Sequence, residues 1–433
     1  MLFGKDSFRK KNIGKYVIGY ELGKGHVQIS YLKIGDKEPE TLSTVAGQEQ
    51  YNIPFGLYKQ EDKNLWYIGK EALAKQQELG GVLLTDLLEN ARKQEMTEVN
   101  LETYDSVALL ALFVKRSLSY LSFVAPVTKL AAIMFTVEKL DQKTVEVLRQ
   151  MIDFLQMPQV LIQFMGKEET FFYYNLHTDP SLWNNRVYLY EMQDNHLQSY
   201  NLSLNRQTKP VVTLIEKKEY EEFPVFESSE PTGEEKEIRD QIFLDYVTED
   251  MEEKIVTTVY LIGDGFLGEW YQKSVRFLCG KRRVFLGNNL YSKGACYALL
   301  DKMEPTELSA SYVYLGTDKV KANVGMEIIR QGMPSYLAIL DGGNSWYDCK
   351  KNWDMILDGE NRLVFRIVPL DGKNTTQTEI VLHGLQMNKN PLCRIHAESY
   401  MENSTRMKLK FREMGFGEFY PSQGQYWEET IEL

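Results

Sequence analysis

Between Ala131 and Phe164 the chain reads as a buried strand, an amphipathic helix and a second buried strand, and no other stretch narrows the fold so far. Ile133 to Val137 is a buried-type run, apolar but for Thr136 and without alternation, as suits a strand covered on both faces. Asp141 is placed to cap the helix that follows; Val145, Leu148, Ile152 and Leu155 fall on one of its faces, and Pro158 ends it. Val160 to Phe164 returns as strand. A crossover of this length joins parallel strands, and parallel strands need cover on both faces, so the body of the chain is expected to be α/β.

Strand pairs stand on either side of this unit. Lys15 to Ile34, KYVIGYELGKGHVQISYLKI, carries β-branched and aromatic residues around Gly23 and Gly25, the pattern of a hairpin with a glycine-lined tip. Arg186 to Leu204, RVYLYEMQDNHLQSYNLSL, repeats the theme with Gln193, Asp194 and Asn195 at the tip, so the two halves suggest a weak internal duplication. Residues 50 to 70 read as a further strand pair, and Asp105 to Tyr120 as a helix. Residues 216 to 237, charged and Pro-containing, are expected to form a mobile surface connection. Thr232 and Glu235 then make a capping box before a helix bearing Ile238, Ile242 and Tyr246.

Thr257 to Ile262 is a buried-type strand running into Gly263-Asp264-Gly265-Phe266 and a helix, with Asp264 read as its cap; a glycine turn at a helix N-terminus suits an anion or a nucleotide. Beyond about residue 308 the period changes to two. Leu363, Phe365 and Ile367 alternate with Arg362, Val364 and Arg366, and Met407, Leu409 and Phe411 with Lys408, Lys410 and Arg412. Turn clusters separate such runs, which predicts an antiparallel β-sandwich as a separate domain.

Composition closes off several classes. Lys plus Arg is 50 and Asp plus Glu is 61, a net charge of −11, and no basic block is present to neutralise a row of phosphates, so nucleic acid is not an expected partner. The longest unbroken apolar run, Val107 to Val114, falls short of the roughly 20 residues of a membrane span, and none is expected. The first twenty residues carry positive charges without an apolar stretch after them, so the expected location is the cytoplasm. Cys279, Cys296, Cys349 and Cys393 lie too far apart for CxxC chemistry and read as reduced structural thiols. None of the five histidines has metal-ligand spacing, and neither a GxSxG elbow nor a Cys-His signature occurs.

Two hairpins with tips of the phosphate-facing kind, a late strand-glycine turn-helix and a C-terminal sandwich, taken in that order, resemble the actin, sugar-kinase and heat-shock chaperone superfamily, and specifically the DnaK-type chaperones, over residues 14 to 433. The resemblance implies a two-lobed actin-like α/β ATPase body over residues 1–308 with a reduced second-lobe subdomain. A sandwich similar to the chaperone peptide-binding domain would follow over residues 309–433, without a helical lid. IGYELGKGHVQISYL looks like the first phosphate loop, with Glu21 in the acidic place, Gly23 in the turn, and Lys24 and Gly25 where hydroxyl residues belong. The second phosphate loop would hold Glu191 in its acidic place, while Gln193, Asp194 and Asn195 replace the glycines that let main-chain amides approach a phosphate. Gly263, Asp264 and Gly265 resemble the adenosine loop, Asn289 to Ala298 the helix that packs the lobes together, and Glu168 and Thr170 the start of the connecting helix.

The site residues implied are thus Glu21, Glu191 and Glu168 as catalytic candidates, and Gly23, Lys24, Gly25, Gly263, Asp264 and Gly265 around ATP. Glu21 and Glu191 would hold Mg²⁺ through water, and Lys24 would pair with a phosphate or with Glu191 or Asp194. Trp346, Tyr347, Trp353 and Met355 are the candidates for contact with a polypeptide or protein partner. With only one phosphate loop keeping its glycines, the expected function is a degenerate DnaK-like binding or scaffold protein. The alternatives are a working Mg-ATP-dependent ATPase with an altered phosphate site and an actin-like assembly protein.

Overall fold

The computed structural model describes residues 14–433 apart from Ala46, Asp62, Asp194, residues 221–222, Val225, residues 227–230, Asn288, residues 386–391 and Tyr420. The described chain divides into two compact units, the first extending to Tyr312 and the second running Val313–Leu433.

The first unit is mixed α/β and contains two main sheets of the same design. In one, β1 (Tyr16–Leu22) pairs antiparallel with β2 (His26–Lys33), which pairs antiparallel with the short strand Glu40–Thr41. On its other side β1 is parallel to β3 (Leu130–Val137), and β3 to β4 (Leu161–Gly166). In the other sheet, β5 (Arg186–Gln193), β6 (His196–Asn205) and β7 (Val211–Tyr220) form an antiparallel meander. There β5 is parallel to β8 (Val256–Ile262), and β8 to β9 (Arg283–Leu286). Each sheet is therefore a meander whose first strand lies beside two parallel strands, so the hairpin repetition in the sequence is a repetition of topology.

Crossovers build the rest. Helix α1 (Ser106–Leu118) is capped by Asp105, whose carboxylate accepts from the amides of Val107 and Ala108. The stretch Ser106–Phe123 is long and apolar enough to cross a membrane by length and composition, and more than half of it is buried within the fold, with Leu110, Phe113 and Val114 inaccessible. Helix α2 (Gln142–Leu155) joins β3 to β4 and is capped by Asp141 through the Thr144 amide, as its sequence indicated. Helix α3 (Lys167–Leu176) follows β4 without a break. Helix α4 (Gly233–Asp250) opens on the Thr232/Glu235 capping box, helix α5 (Gln272–Cys279) precedes β9, and helix α6 (Leu290–Met303) follows it.

Helix α6 returns to the first sheet, where Ala295, Cys296, Ala298 and Leu299 pack against Val17, Ala132 and Met134. Two glycines permit the approach. A Cβ on Gly19 would lie 1.8 Å from the Ser292 carbonyl oxygen, and one on Gly294 would lie 2.3 Å from that of Thr170 on α3.

Two expectations are corrected. Residues 216–220 belong to β7 rather than to a mobile connection, because the ladder to β6 continues through Glu216, Lys217, Lys218 and Glu219 although all four are charged and exposed. The glycine turn at 263–265 does not open a helix: Asp264–Phe266 is a single 3-10 turn, and α5 starts only at Gln272.

The second unit consists of two four-stranded antiparallel sheets. One runs in the order Met333–Leu340, Ala322–Arg330, Arg362–Pro369, Thr376–Val381. The other runs Lys350–Asp358, Leu392–Met401, Arg406–Glu413, Tyr426–Glu432. Leu363, Phe365, Ile367, Met407, Leu409 and Phe411 are all buried, and Arg362, Val364, Arg366 and Arg412 are exposed, so the period of two marks the inner faces. All four cysteines are free thiols.

Candidate functional site

The tips of the β1–β2 and β5–β6 hairpins meet. Gln193 Nε2 and His26 Nδ1 are 3.1 Å apart, and a cavity of about 510 Å³ opens beside them, lined from the first hairpin by Leu22, Gly23 and Lys24 and from the second by Glu191, Gln193, His196 and Gln198. Glu138, just past the end of β3, and Lys167, at the start of α3, add to its polar wall, as do Asp86, Glu89 and Arg92.

The chemistry of that wall is set by Lys167. Its ammonium lies 2.7 Å from Glu191 Oε1 and 3.0 Å from Glu138 Oε2, and Lys167 and Glu191 are each only 3–4% exposed. The second oxygen of Glu191 accepts from Gln198 Nε2 at 2.6 Å and from the Tyr291 hydroxyl at 2.8 Å, so both carboxylate oxygens are held. Glu138 is shared with Lys217 of β7 at 2.6 Å. The Tyr291 ring centroid stands 4.9 Å from the Lys167 ammonium.

Electrostatics follows from this packing. Burial opposes the Lys167 charge, but Glu191, Glu138 and Glu21 together outweigh it and hold the ammonium protonated far above its ordinary range. Burial also opposes ionisation of Glu138, yet Lys167 and Lys217 bring it down to about 2. Glu21, at 4% exposure, goes the other way: burial, with Glu191 and Glu138 adding repulsion, pushes it up to about 7 against the pull of Lys167.

The residues singled out in the sequence fall into three groups. Glu21 and Glu191 are brought to one locus, around Lys167. Glu168, the next residue of α3, is half-buried. Lys24 and Gly25 are exposed at the first tip, and the cation that meets Glu191 is Lys167, not Lys24. Asp194 lies outside the described residues.

Gly23 is buried, and a Cβ there would stand 2.6 Å from the His26 carbonyl oxygen, so the hairpin turn itself demands glycine. Packing alone requires glycine at Gly263 (φ +97°) and Gly265: Cβ atoms on them would meet Met192, at 2.2 Å from its carbonyl oxygen and 2.3 Å from its side chain. Asp264 accepts from Asn52 Nδ2 at 3.3 Å. In the second unit Trp346, Tyr347 and Trp353 are buried and Met355 half-buried.

Mg-ATP, which the resemblance implies, does not fit these residues. Of the two carboxylates that would face a metal through water, Glu191 already grips Lys167, Gln198 and Tyr291, and Glu21 is buried and held against its charge. The N-terminal amides of α5 are taken as well, because the buried Asp240 carboxylate accepts from Lys273 N at 2.6 Å and Ser274 N at 3.0 Å and thus supplies the anion itself. Among the described residues no group of three or more His, Cys, Asp and Glu is disposed to hold a metal ion.

Lys167 was missed in the sequence because a lysine at the start of a helix looks like an ordinary surface residue. A signal for its partners did exist. Tyr20-Glu21, His26 and Gln28 recur at identical spacing as Tyr190-Glu191, His196 and Gln198, and in both hairpins the Glu and the Gln are directly paired across the strands.

Residues 38–317 match the family described as "Family of unknown function (DUF5716) C-terminal", and residues 319–433 the "Domain of unknown function (DUF8552)". Comparison with curated proteins gives no match.

Proposed function

The chain belongs to the family of unknown function DUF5716, and within it we propose that this protein is a non-catalytic binding or scaffold protein, an actin/DnaK-type body whose cleft no longer takes Mg-ATP, holding a polypeptide or protein partner. The observation that carries this is Lys167, fixed between Glu138 and Glu191 at the point where the two hairpins meet. Phosphoryl transfer in the superfamily that the sequence resembles needs main-chain amides and a metal closing on the phosphates. Here the equivalent positions are filled by side chains of the protein itself.

The repeated sheet, a meander beside two parallel strands, supports descent from a two-lobed body. The C-terminal sheets support a sandwich that presents apolar side chains: on the hairpin that begins the unit's first sheet, Ile329 is 79% and Met333 72% exposed. These, rather than the buried Trp346, Tyr347 and Trp353, are the apolar groups that a partner would meet.

The test pairs two measurements on the full chain. Calorimetric titration with Mg-ATP is expected to give no heat of binding and no change in melting temperature, since a ligand stabilises a fold only by binding it. Suppression of the aggregation of reduced insulin is expected with and without ATP alike. Micromolar Mg-ATP binding with phosphate release would replace this function with that of a working ATPase.

A further inference from the structure

Four charged side chains alternate in sign across the cleft. Lys217 of β7 bridges to Glu138 at 2.6 Å, Glu138 to Lys167 at 3.0 Å, and Lys167 to Glu191 at 2.7 Å. Glu138 and Lys167 belong to the half built on the first sheet, Lys217 and Glu191 to the half built on the second, so two of the three links join the halves.

The position of Lys167 is otherwise unfavourable. It is the first residue of α3, where a cation opposes the helix dipole at a cost of about 0.3–1 kcal/mol. It is also nearly fully buried, where a charge persists only if it is paired. Glu168 and Glu169 in the first turn suit the dipole, while the buried ammonium itself is paired by the carboxylates of Glu138 and Glu191.

We propose that Lys167 is a tethered substitute for a divalent cation: its ammonium occupies the point on which Glu138 and Glu191 converge, bars metal ions from it, and clamps the two halves together without any ligand. Gln198 and Tyr291 orient Glu191 independently of Lys167. Shortening the lysine therefore leaves pre-positioned oxygen donors, and hard divalent cations select such donors. Lys167, Glu138 and Glu191 all line the 510 Å³ cavity, which provides the route by which an ion would arrive. The inference rests on the proposed function only in taking the cleft as closed to metal; it does not depend on any partner.

Mn²⁺ alone, without nucleotide, is the probe, followed by electron paramagnetic resonance and thermal melting of the full chain. The wild type is expected to leave Mn²⁺ free and to melt at an unchanged temperature in millimolar metal. Lys167→Ala is expected to melt lower and to recover by about 5 °C at a Mn²⁺ concentration of roughly 100 Kd, and Lys167→Ala/Glu191→Gln to lose that recovery. If Lys167→Ala does not fold, Lys167→Gln takes its place, and if neither folds, refolding in Mn²⁺ is compared with refolding in buffer. Tight Mn²⁺ binding by the wild type, a folded variant indifferent to Mn²⁺, or no gain from refolding in Mn²⁺ would each overturn the substitution. Metal-free ATP binding by the wild type would instead sink the proposed function and leave the clamp standing.

Discussion

Glu21→Gln is expected to stabilise the protein, and to do so increasingly as pH rises. In the fold the Glu21 carboxyl is pushed up to about 7 from its ordinary 4.5, first by burial and then by Glu191 and Glu138. A carboxyl raised on folding binds more protons in the native state than in the unfolded state across that interval, so stability falls as pH rises through it. The penalty is fully absent below the unfolded value and fully present above the folded one. For a single group moving from 4.5 to about 7, linkage gives about 1 kcal/mol at pH 5, about 2 kcal/mol at pH 6 and about 3 kcal/mol at pH 8. Glutamine keeps the shape and cannot ionise, so it escapes the penalty.

Urea unfolding of wild type and variant, followed by circular dichroism from pH 5 to pH 8, reads the difference directly. Contributions common to both chains, such as that of Glu138, cancel in the subtraction. Parallel stability curves, with a difference that stays constant from pH 5 to pH 8, would refute the claim that Glu21 is held against its charge.

Other outcomes follow from single contacts. On the acid side, Glu138 is brought down to about 2 by Lys167 and Lys217, so its stabilisation is lost as pH falls from about 4.5 toward 2, and Glu138→Gln should flatten the acid limb of a stability profile. Gly294→Val places side-chain atoms against the Thr170 carbonyl oxygen and should cost at least about 1–3 kcal/mol by melting, because both contacting elements are backbone. Asp240→Ala strips a charged acceptor from two helix amides, that of Ser274 buried, and from the Ser274 hydroxyl, and a loss of about 2–3 kcal/mol in urea unfolding is expected. Phe365→Ala, at a fully buried position of the second unit, should cost about 3–5 kcal/mol in the same assay, and a loss under 1 kcal/mol would mean that this face is not an interior.

The local order of the chain alone determined a good deal here. The buried-type run of β3, the single-faced pattern of α2, the caps at Asp141 and Thr232 and the alternation around Phe365 all encode which side of an element leaves water, because the period of burial is written residue by residue. Where a charged strand end imitated a loop, as at Glu216 to Glu219 of β7, that code was silent, since backbone ladder bonds hold the strand and are invisible in composition.

What only the tertiary structure decided was who meets whom. Residues 138, 167, 191 and 217 are scattered along the chain, and only Glu191 stood out in the sequence. Strand order, set by the burial of distant apolar faces, brings them within hydrogen-bonding distance, and it equally sets Met192 against Gly263 and Gly265. Periodicity is a property of neighbours in sequence, whereas a buried charge is compensated by neighbours in space.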